Sequence, residues 1–327
     1  MSNSISIIRV IATLFIVLYH SLCYFGIWHF QSDVIFYSID YCRSVCNVCL
    51  HTFVFISGYL FAYTIFVKGR KYSRRQYLVN KIKRLLIPYI FWSIIAIVLF
   101  QNCEFYPSLL CGTQHLWFLL MLFTLFVVII LFKNFILKLN LLQLMGGVFL
   151  IQCLYWLSVK FGLDFVNYLQ WKRVLEYLPA FLAGYAMVRY NFQRVLSSMS
   201  IKTLRLIMII TVALMICMIL IPNLHLSTFY YYLPAYAFLY ILITVLDKQQ
   251  PIFGTFVNSI DKCSMGIYIF HHLIIWLLIF YVPGAKTILI NHYLMSPVII
   301  FLISTTLSWG LTLLIKKNKF LSIIIGG

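Results

Sequence analysis

Apolar runs of about 20 residues recur along the chain, and this repetition constrains the fold more than any other feature of the sequence. An α-helix needs about this length to cross the hydrocarbon core of a bilayer. Of the 327 residues, 63% are hydrophobic and 10% are charged, which excludes an ordinary soluble domain and a disordered chain. Strands of a membrane barrel would alternate in shorter segments, which the sequence lacks. We therefore predict an all-α, polytopic integral membrane protein.

The apolar runs predict ten transmembrane helices joined by short loops. Such loops leave no room for an appended soluble module, so that one transmembrane domain is expected over 1–327. The predicted spans are 5–27, 45–67, 86–102, 115–132, 141–159, 174–188, 206–221, 229–246, 263–281 and 297–315. The first span has no small-residue cleavage site, and a cleavable signal peptide is therefore not expected.

Basic residues are divided unequally between the two sides of the predicted membrane domain. Twenty of the 25 Lys and Arg fall on the side that holds the loop 68–84, and five fall on the other side. Because cytoplasmic loops are enriched in Lys and Arg, both termini are predicted to be cytoplasmic. This topology also explains the net charge of +18 without binding to nucleic acid, which is not expected as a partner.

Two polar residues of the first span, Arg9 and His20, are unusual in a membrane. A charged Arg inside a span costs about 2.5 kcal/mol or more on insertion scales, which makes it a functional candidate. Eleven residues correspond to three helical turns plus about 20°, so that both side chains lie on one stripe, about 16.5 Å apart. We interpret the stripe as the wall of a tunnel for an anionic molecule from the cytoplasm. The alternative is that Arg9 snorkels to the headgroups and His20 is a packing residue.

Nine cysteines show no pattern of paired spacings. Cys42, Cys46 and Cys49 share one helical face, but no His or carboxylate completes a familiar ligand set there. We interpret them as small apolar packing residues and predict no metal.

Short motifs follow one another in a fixed order over about residues 1–272. They are Arg9 and His20 as R-x10-H, "FVFISGYLFA" in the second span, "KRLLIPYIFW" with Arg84, Pro88 and Tyr89, "HLWFL" at 115–119, "YLPAFLAGY" at 177–185 and "SMGIYIFHH" at 264–272. In this ordered set the sequence resembles the membrane-bound acyltransferase type 3 family.

The resemblance implies transfer of an acyl group, usually acetyl from acetyl-CoA, to a hydroxyl of a glycan or lipid-linked glycan. The "HLWFL" form is that of members that modify surface polysaccharides, which implies O-acetylation of the cell envelope at the bacterial inner membrane. The expected partners are the lipid bilayer, acyl-CoA and the glycan acceptor. Larger relatives carry a hydrolase-like domain after the last span, and this chain is expected to lack it.

The donor site is expected on the cytoplasmic side. Coenzyme A is a polyanion, and the loop 68–84 carries eight basic residues, most of which a topology signal also explains. Arg84 lies at the start of a span beside Pro88, where its guanidinium could donate two hydrogen bonds to a phosphate. Arg9 is the other candidate for a phosphate or the thioester carbonyl.

His20 is the predicted general base. Attack of a sugar hydroxyl on a thioester requires removal of a proton near neutral pH, which suits imidazole. A covalent acyl-histidine is the alternative. The G-x-S-x-G turn of a hydrolase nucleophile does not occur in the sequence.

One face of the ninth span is polar because Ser264, Tyr268 and His271 follow at i, i+4 and i+7. We predict that Ser264 and Tyr268 contact the donor and that His271 contacts the substrate. A structural hydrogen-bond cluster is the alternative. His272 lies about 100° away on the helix and is not expected to share this face.

The outer ends of the spans hold the predicted acceptor residues. His115 and Trp117 are expected to bind the acceptor sugar, although Trp at an interface also serves as a membrane anchor and His115 could instead support the catalytic His. Arg173 and Glu176 are predicted to form an i,i+3 ion pair, with a contact to the sugar as the alternative. His51 could pair with His20 or could serve in packing.

A different class of function, a transporter or exporter of glycan or acyl units, also fits ten spans with buried polar residues. Against it, the two halves of the chain show no paired broken helices. A lipid-binding structural subunit is a third alternative, which the intramembrane Arg9 and His20 disfavour.

Overall fold

The computed structural model describes residues 3–27, 33–70, 73–100, 109–220, 228–249 and 254–327. Every regular element in these ranges is helical, which confirms the predicted all-α class. The α-helices are α1 Asn3–Ile27, α2 Asp33–Ala62, α3 Arg74–Lys81, α4 Ile87–Phe100, α5 Trp117–Leu131, α6 Lys133–Ile136, α7 Leu141–Lys160, α8 Trp171–Arg189, α9 Phe192–Ser198, α10 Ile201–Leu220, α11 Thr228–Gln249, α12 Thr255–Tyr281, α13 Ala285–Asn291, α14 Ser296–Lys316 and α15 Lys319–Ser322.

Each predicted span coincides with a helix, although the ends of 86–102 and 206–221 lie outside the described residues. Within the described ranges, seven helical segments are long and apolar enough to cross a membrane, or eight if α9 and α10, bent by 118°, form one broken span. This shows a multi-pass membrane protein. The predicted spans on α8 and α11 are not among the seven, and the count of ten stays a prediction.

Two π-helical segments flank the basic loop. Tyr63–Val67 extends α2, and Ile82–Leu86 joins α3 to α4. A π segment carries an extra residue per turn and is found frequently at functional sites. Arg84 lies in the second of these segments.

The chain forms two compact units, and the first is built from its two end regions, Ile5–Leu50 and Ile252–Gly327. Its helices are α1, the first half of α2, α12 and α14. Val17 of α1 packs with Ile260 and Ile267 of α12 in an apolar cluster. Between α12 and α14, the indole nitrogen of Trp309 donates to the Ser259 hydroxyl at 3.2 Å.

The second unit comprises Ser2–Ser4 and His51–Pro251. Within it, the second half of α2 packs closely on α8, and a glycine of each helix faces the backbone of the other. A methyl group on Gly58 would overlap the carbonyl oxygen of Phe181, and one on Gly184 would overlap the carbonyl oxygen of Phe55. The two backbones therefore touch, as small residues at membrane helix interfaces permit.

Helices α2, α5, α8 and α11 of the second unit run parallel, since their contacts advance together along each helix. At one end, the ring of His51 stacks on Tyr177 and Tyr232. Further along, Phe61 of α2 and Phe126 of α5 both pack on Phe181. The helices α4, α7 and α10 lie between successive members of this parallel set along the chain.

Candidate active site

A pair of histidines joins α1 to α12 in the first unit. Nε2 of His271 lies 3.2 Å from Nδ1 of His20. Nδ1 of His20 lies 2.8 Å from the Ile16 carbonyl oxygen, and Nδ1 of His271 lies 3.0 Å from that of Ile267. His271 is fully buried and His20 is half-buried. The two rings therefore lie at a similar level along α1 and α12.

The hydrogen bonds of the pair assign its tautomers. A carbonyl oxygen only accepts, so that Nδ1 of each neutral ring carries the proton. The Nδ1–H of His20 is then shared between the Ile16 carbonyl and Nε2 of His271. In consequence, Nε2 of His20 is the nitrogen with the lone pair, which is the group that a general base requires.

His272 also contacts His20, although it is not expected to share the polar face of His271. The ring centroid of His20 lies 4.9 Å from that of His271 and 5.3 Å from that of His272. The reason is that the His20 ring spans the gap between two successive side chains of α12. A separation of 100° about the α12 axis therefore does not prevent both rings from reaching one ring on α1.

Arg9 is held by a carboxylate that the sequence analysis missed. Its Nε donates to Oδ1 of Asp261 at 2.7 Å and its Nη2 donates to Oδ2 at 2.6 Å. The Ser6 hydroxyl donates to the same Oδ2 at 2.8 Å. Arg9 retains 21% of its side-chain exposure and Asp261 retains 7%. The guanidinium is thus charge-compensated and fixed in one plane, which is typical of a bidentate pair.

The two contacts show that α1 and α12 face each other in parallel along two polar stripes. Arg9 meets Asp261, and about three turns further on His20 meets His271, so that the two pairs lie about 15 Å apart along the helices. A sign of Asp261 was present in the sequence, because it precedes Ser264 by three residues and extends the predicted polar face of α12.

Ser264 and Tyr268 lie between the two pairs along α12 and are half-buried. The ring centroid of Tyr268 lies 5.9 Å from that of His271. The structure therefore groups the predicted donor residues Arg9, Ser264 and Tyr268 with the two histidines on one side of the first unit.

Arg84 belongs to the second unit and is exposed in the π segment between α3 and α4. Its neighbour Lys81 instead packs its ammonium over the Phe126 ring, 3.4 Å from the centroid. Of these two basic residues, Arg84 is the one presented to the surroundings.

The predicted acceptor residues lie at the start of α5. His115 is buried in the 3₁₀ turn Gln114–Leu116, and Trp117 opens the helix. The Arg173 guanidinium lies 5.1 Å from the Trp117 ring centroid. Its Nη1 donates to Oε2 of Glu176 at 2.8 Å, which confirms the predicted ion pair.

His51 lies in the same region of the second unit, between two tyrosine rings. The centroid of its ring is 4.2 Å from that of Tyr177 and 3.6 Å from that of Tyr232, and both rings are stacked on it. Its Nδ1 lies 2.9 Å from the hydroxyl oxygen of Tyr236. Sequence reasoning missed these tyrosines, although Tyr232 and Tyr236 share one helical face at i and i+4.

Among the described residues, no group of three or more His, Cys, Asp and Glu side chains is arranged to hold a metal ion. Cys46 and Cys49 are buried and Cys42 is half-buried. Their interpretation as packing residues is unchanged.

A comparison with protein families gives one match that covers nearly the whole chain. A family model described as an acyltransferase domain matches residues 2–313, and the matched range runs through both units. Neither the curated proteins nor the solved structures gave a match.

Proposed function

Because the chain belongs to the membrane acyltransferase type 3 family, we propose that this acyltransferase moves an acetyl group from cytoplasmic acetyl-CoA to a glycan hydroxyl. The acceptor would be a cell-envelope polysaccharide or its lipid-linked precursor. The observation that supports this chemistry best is the contact between His20 and His271, which leaves Nε2 of His20 as a base.

In the proposed reaction, Nε2 of His20 removes the proton of the acceptor hydroxyl, and the oxygen attacks the thioester carbonyl carbon. The C–S bond then breaks. The thiolate of coenzyme A leaves and takes the proton from the His20 imidazolium. Nε2 of His271 accepts a hydrogen bond from Nδ1–H of His20 throughout, which stabilises the positive charge of the intermediate imidazolium.

We assign Arg9 to the donor. Asp261 fixes the plane of its guanidinium, and a phosphate or the thioester carbonyl would accept a hydrogen bond from the fixed group. Ser264 and Tyr268 would line the same path. Arg84 would bind phosphates of coenzyme A at the cytoplasmic surface, as its exposure and its place beside the basic loop support.

The acceptor would bind through His115 and Trp117. His271 would act through His20 and not by the predicted contact with the substrate, because its ring is fully buried and both of its nitrogens are hydrogen-bonded. The burial of His115 and the Arg173 guanidinium over the Trp117 ring support a polar site with aromatic walls there.

The proposed location is the bacterial inner membrane with both termini in the cytoplasm. Tags at residues 2, 75 and 327 are expected to be cytoplasmic, and a tag near 105 or 286 is expected to be external. Residues 2 and 105 lie outside the described residues. External labelling of position 75 would contradict a cytoplasmic donor site.

The test of the proposed function uses purified protein in proteoliposomes with radiolabelled acetyl-CoA and envelope glycan. We expect labelled glycan and free coenzyme A in equal amounts. Movement of the glycan across the membrane without an acylated product would instead show a transporter.

A further inference from the structure

The second unit contains a buried nitrogen that no described residue satisfies. His51 is 1% exposed, and its Nδ1 is bonded to Tyr236. Its Nε2 has no hydrogen-bond partner among the described residues. Leaving a buried polar atom unsatisfied costs about 1–3 kcal/mol, so that a partner beyond the described residues would stabilise this nitrogen.

The orientation of this nitrogen is fixed by its neighbours. The stacked rings of Tyr177 and Tyr232 prevent rotation of the imidazole out of its plane, and the Tyr236 hydroxyl sets its direction within the plane. The structure thus presents one directional hydrogen-bonding atom at a defined position, which is what selective recognition of a small polar group requires.

The surroundings of His51 combine aromatic and charged groups. The ring centroid of Trp117 lies 6.1 Å from that of Tyr177, and the Arg173 guanidinium lies over the indole. Arg173 and Glu176 also lie within electrostatic range of His51 and of Tyr236, respectively. The parallel helices α2, α5, α8 and α11 each contribute a residue from the same end.

We propose that these residues form a carbohydrate-binding subsite, in which Nε2 of His51 hydrogen-bonds a sugar hydroxyl and the Trp117 indole packs on the apolar face of the ring. A sugar combines a C–H face with directional hydroxyls, and the cluster offers both complements, with the Arg173–Glu176 pair as further polar contacts. This inference rests on the proposed function, because the bound sugar would be the acceptor.

The test measures sugar binding directly, without the donor. The full chain in nanodiscs is titrated with methyl β-D-glucopyranoside and methyl N-acetyl-β-D-glucosaminide, and saturation-transfer NMR gives the dissociation constants. Three substitutions separate the functions of the ring. His51→Asn retains an amide near Nδ1, His51→Gln retains one near Nε2, and His51→Phe retains only the stack.

We expect His51→Asn and His51→Phe to weaken sugar binding about tenfold, as loss of one hydrogen bond at a buried site does, while His51→Gln retains most of it. Trp117→Ala should also weaken binding. The matched control is Trp156→Ala, since Trp156 carries the Lys160 ammonium 4.7 Å from its ring centroid but is 48% exposed.

Several outcomes would overturn the subsite. Unchanged sugar binding by folded His51→Asn would show that Nε2 binds an ordered water and not the sugar. An equal loss of sugar binding in all three His51 variants, together with a lower Tm in each, would show that His51 serves in packing. Acyl transfer by the wild type with an unchanged acceptor KM in His51→Asn would refute the subsite alone. Sugar binding without any acyl transfer by the wild type would refute the proposed function alone.

Discussion

Two polar clusters, one in each unit, differ in how their buried groups are paired. In the first unit, Arg9 pairs with Asp261 and His20 with His271. In the second, His51 is enclosed by tyrosines with one nitrogen unsatisfied among the described residues. Groups that must hold a proton or a charge at a set position benefit from internal partners. An unsatisfied group gains most from a ligand. The proposed function accordingly places the chemistry on the first cluster and recognition on the second.

The largest effect is expected for His20→Ala. Positioned acid–base groups contribute about 10²–10⁴-fold, and acyl transfer should fall by this factor while the protein inserts at its normal level. The measurement is acetyl on the glycan by mass spectrometry, with membrane level by immunoblot. Exposed His292→Ala is the control for loss of a histidine. Near-normal acylation by well-expressed His20→Ala would show that His20 of the first unit is not the general base.

Arg9→Lys tests whether the bidentate geometry matters or only the charge. An ammonium cannot reproduce two parallel hydrogen bonds to Asp261, and we expect acyl transfer to fall by about one order of magnitude. Normal activity would show that the positive charge at this position is sufficient.

Asp261→Asn sharpens the same point, because it leaves the Arg9 charge uncompensated. Breaking a buried ion pair costs about 3–5 kcal/mol of stability. Because Arg9 is partly exposed, we expect a loss at or below the lower end of this range. We expect a lower Tm in detergent. The double variant Arg9→Met with Asp261→Leu should regain stability without activity, whereas recovery of both would assign the pair a purely structural role.

Arg84→Ala should raise the KM for acetyl-CoA by about tenfold, the size of one charge-assisted hydrogen bond at a solvated site. The KM for the acceptor should change little. Lys83→Ala is the control, since Lys83 is an exposed neighbour in the same π segment. Equal effects of the two substitutions would indicate a general surface charge instead of a donor contact.

The smallest effect is expected for His272→Ala. The His272 ring contacts the His20 ring, but the proposed mechanism assigns it no hydrogen bond. We therefore expect acyl transfer to fall only several-fold. Kinetics in proteoliposomes would measure it against His271→Ala. A loss as large as that of His20→Ala would make His272 a member of the proton path.

Local periodicity predicted what lies within one helix. The single stripe of Arg9 and His20 and the Arg173–Glu176 pair follow from helical spacing alone, and the structure contains both. The partners of these residues were not predictable in the same way. Asp261 is 252 residues from Arg9, and Tyr236 is 185 residues from His51. Such contacts depend on how helices that are distant in the sequence pack together, which the periodicity within one helix does not predict.

The pairing of the chain's two end regions has a consequence for biosynthesis. Asp261 leaves the ribosome 252 residues after Arg9. At about 5–20 residues per second, roughly 13–50 s separate the two, during which the newly inserted α1 must reside in the bilayer with its cation uncompensated. The His20–His271 contact completes on the same schedule. The proposed catalytic pair therefore forms late in translation. A nascent chain cut off before α12 would contain Arg9 of the proposed donor site but would lack His271.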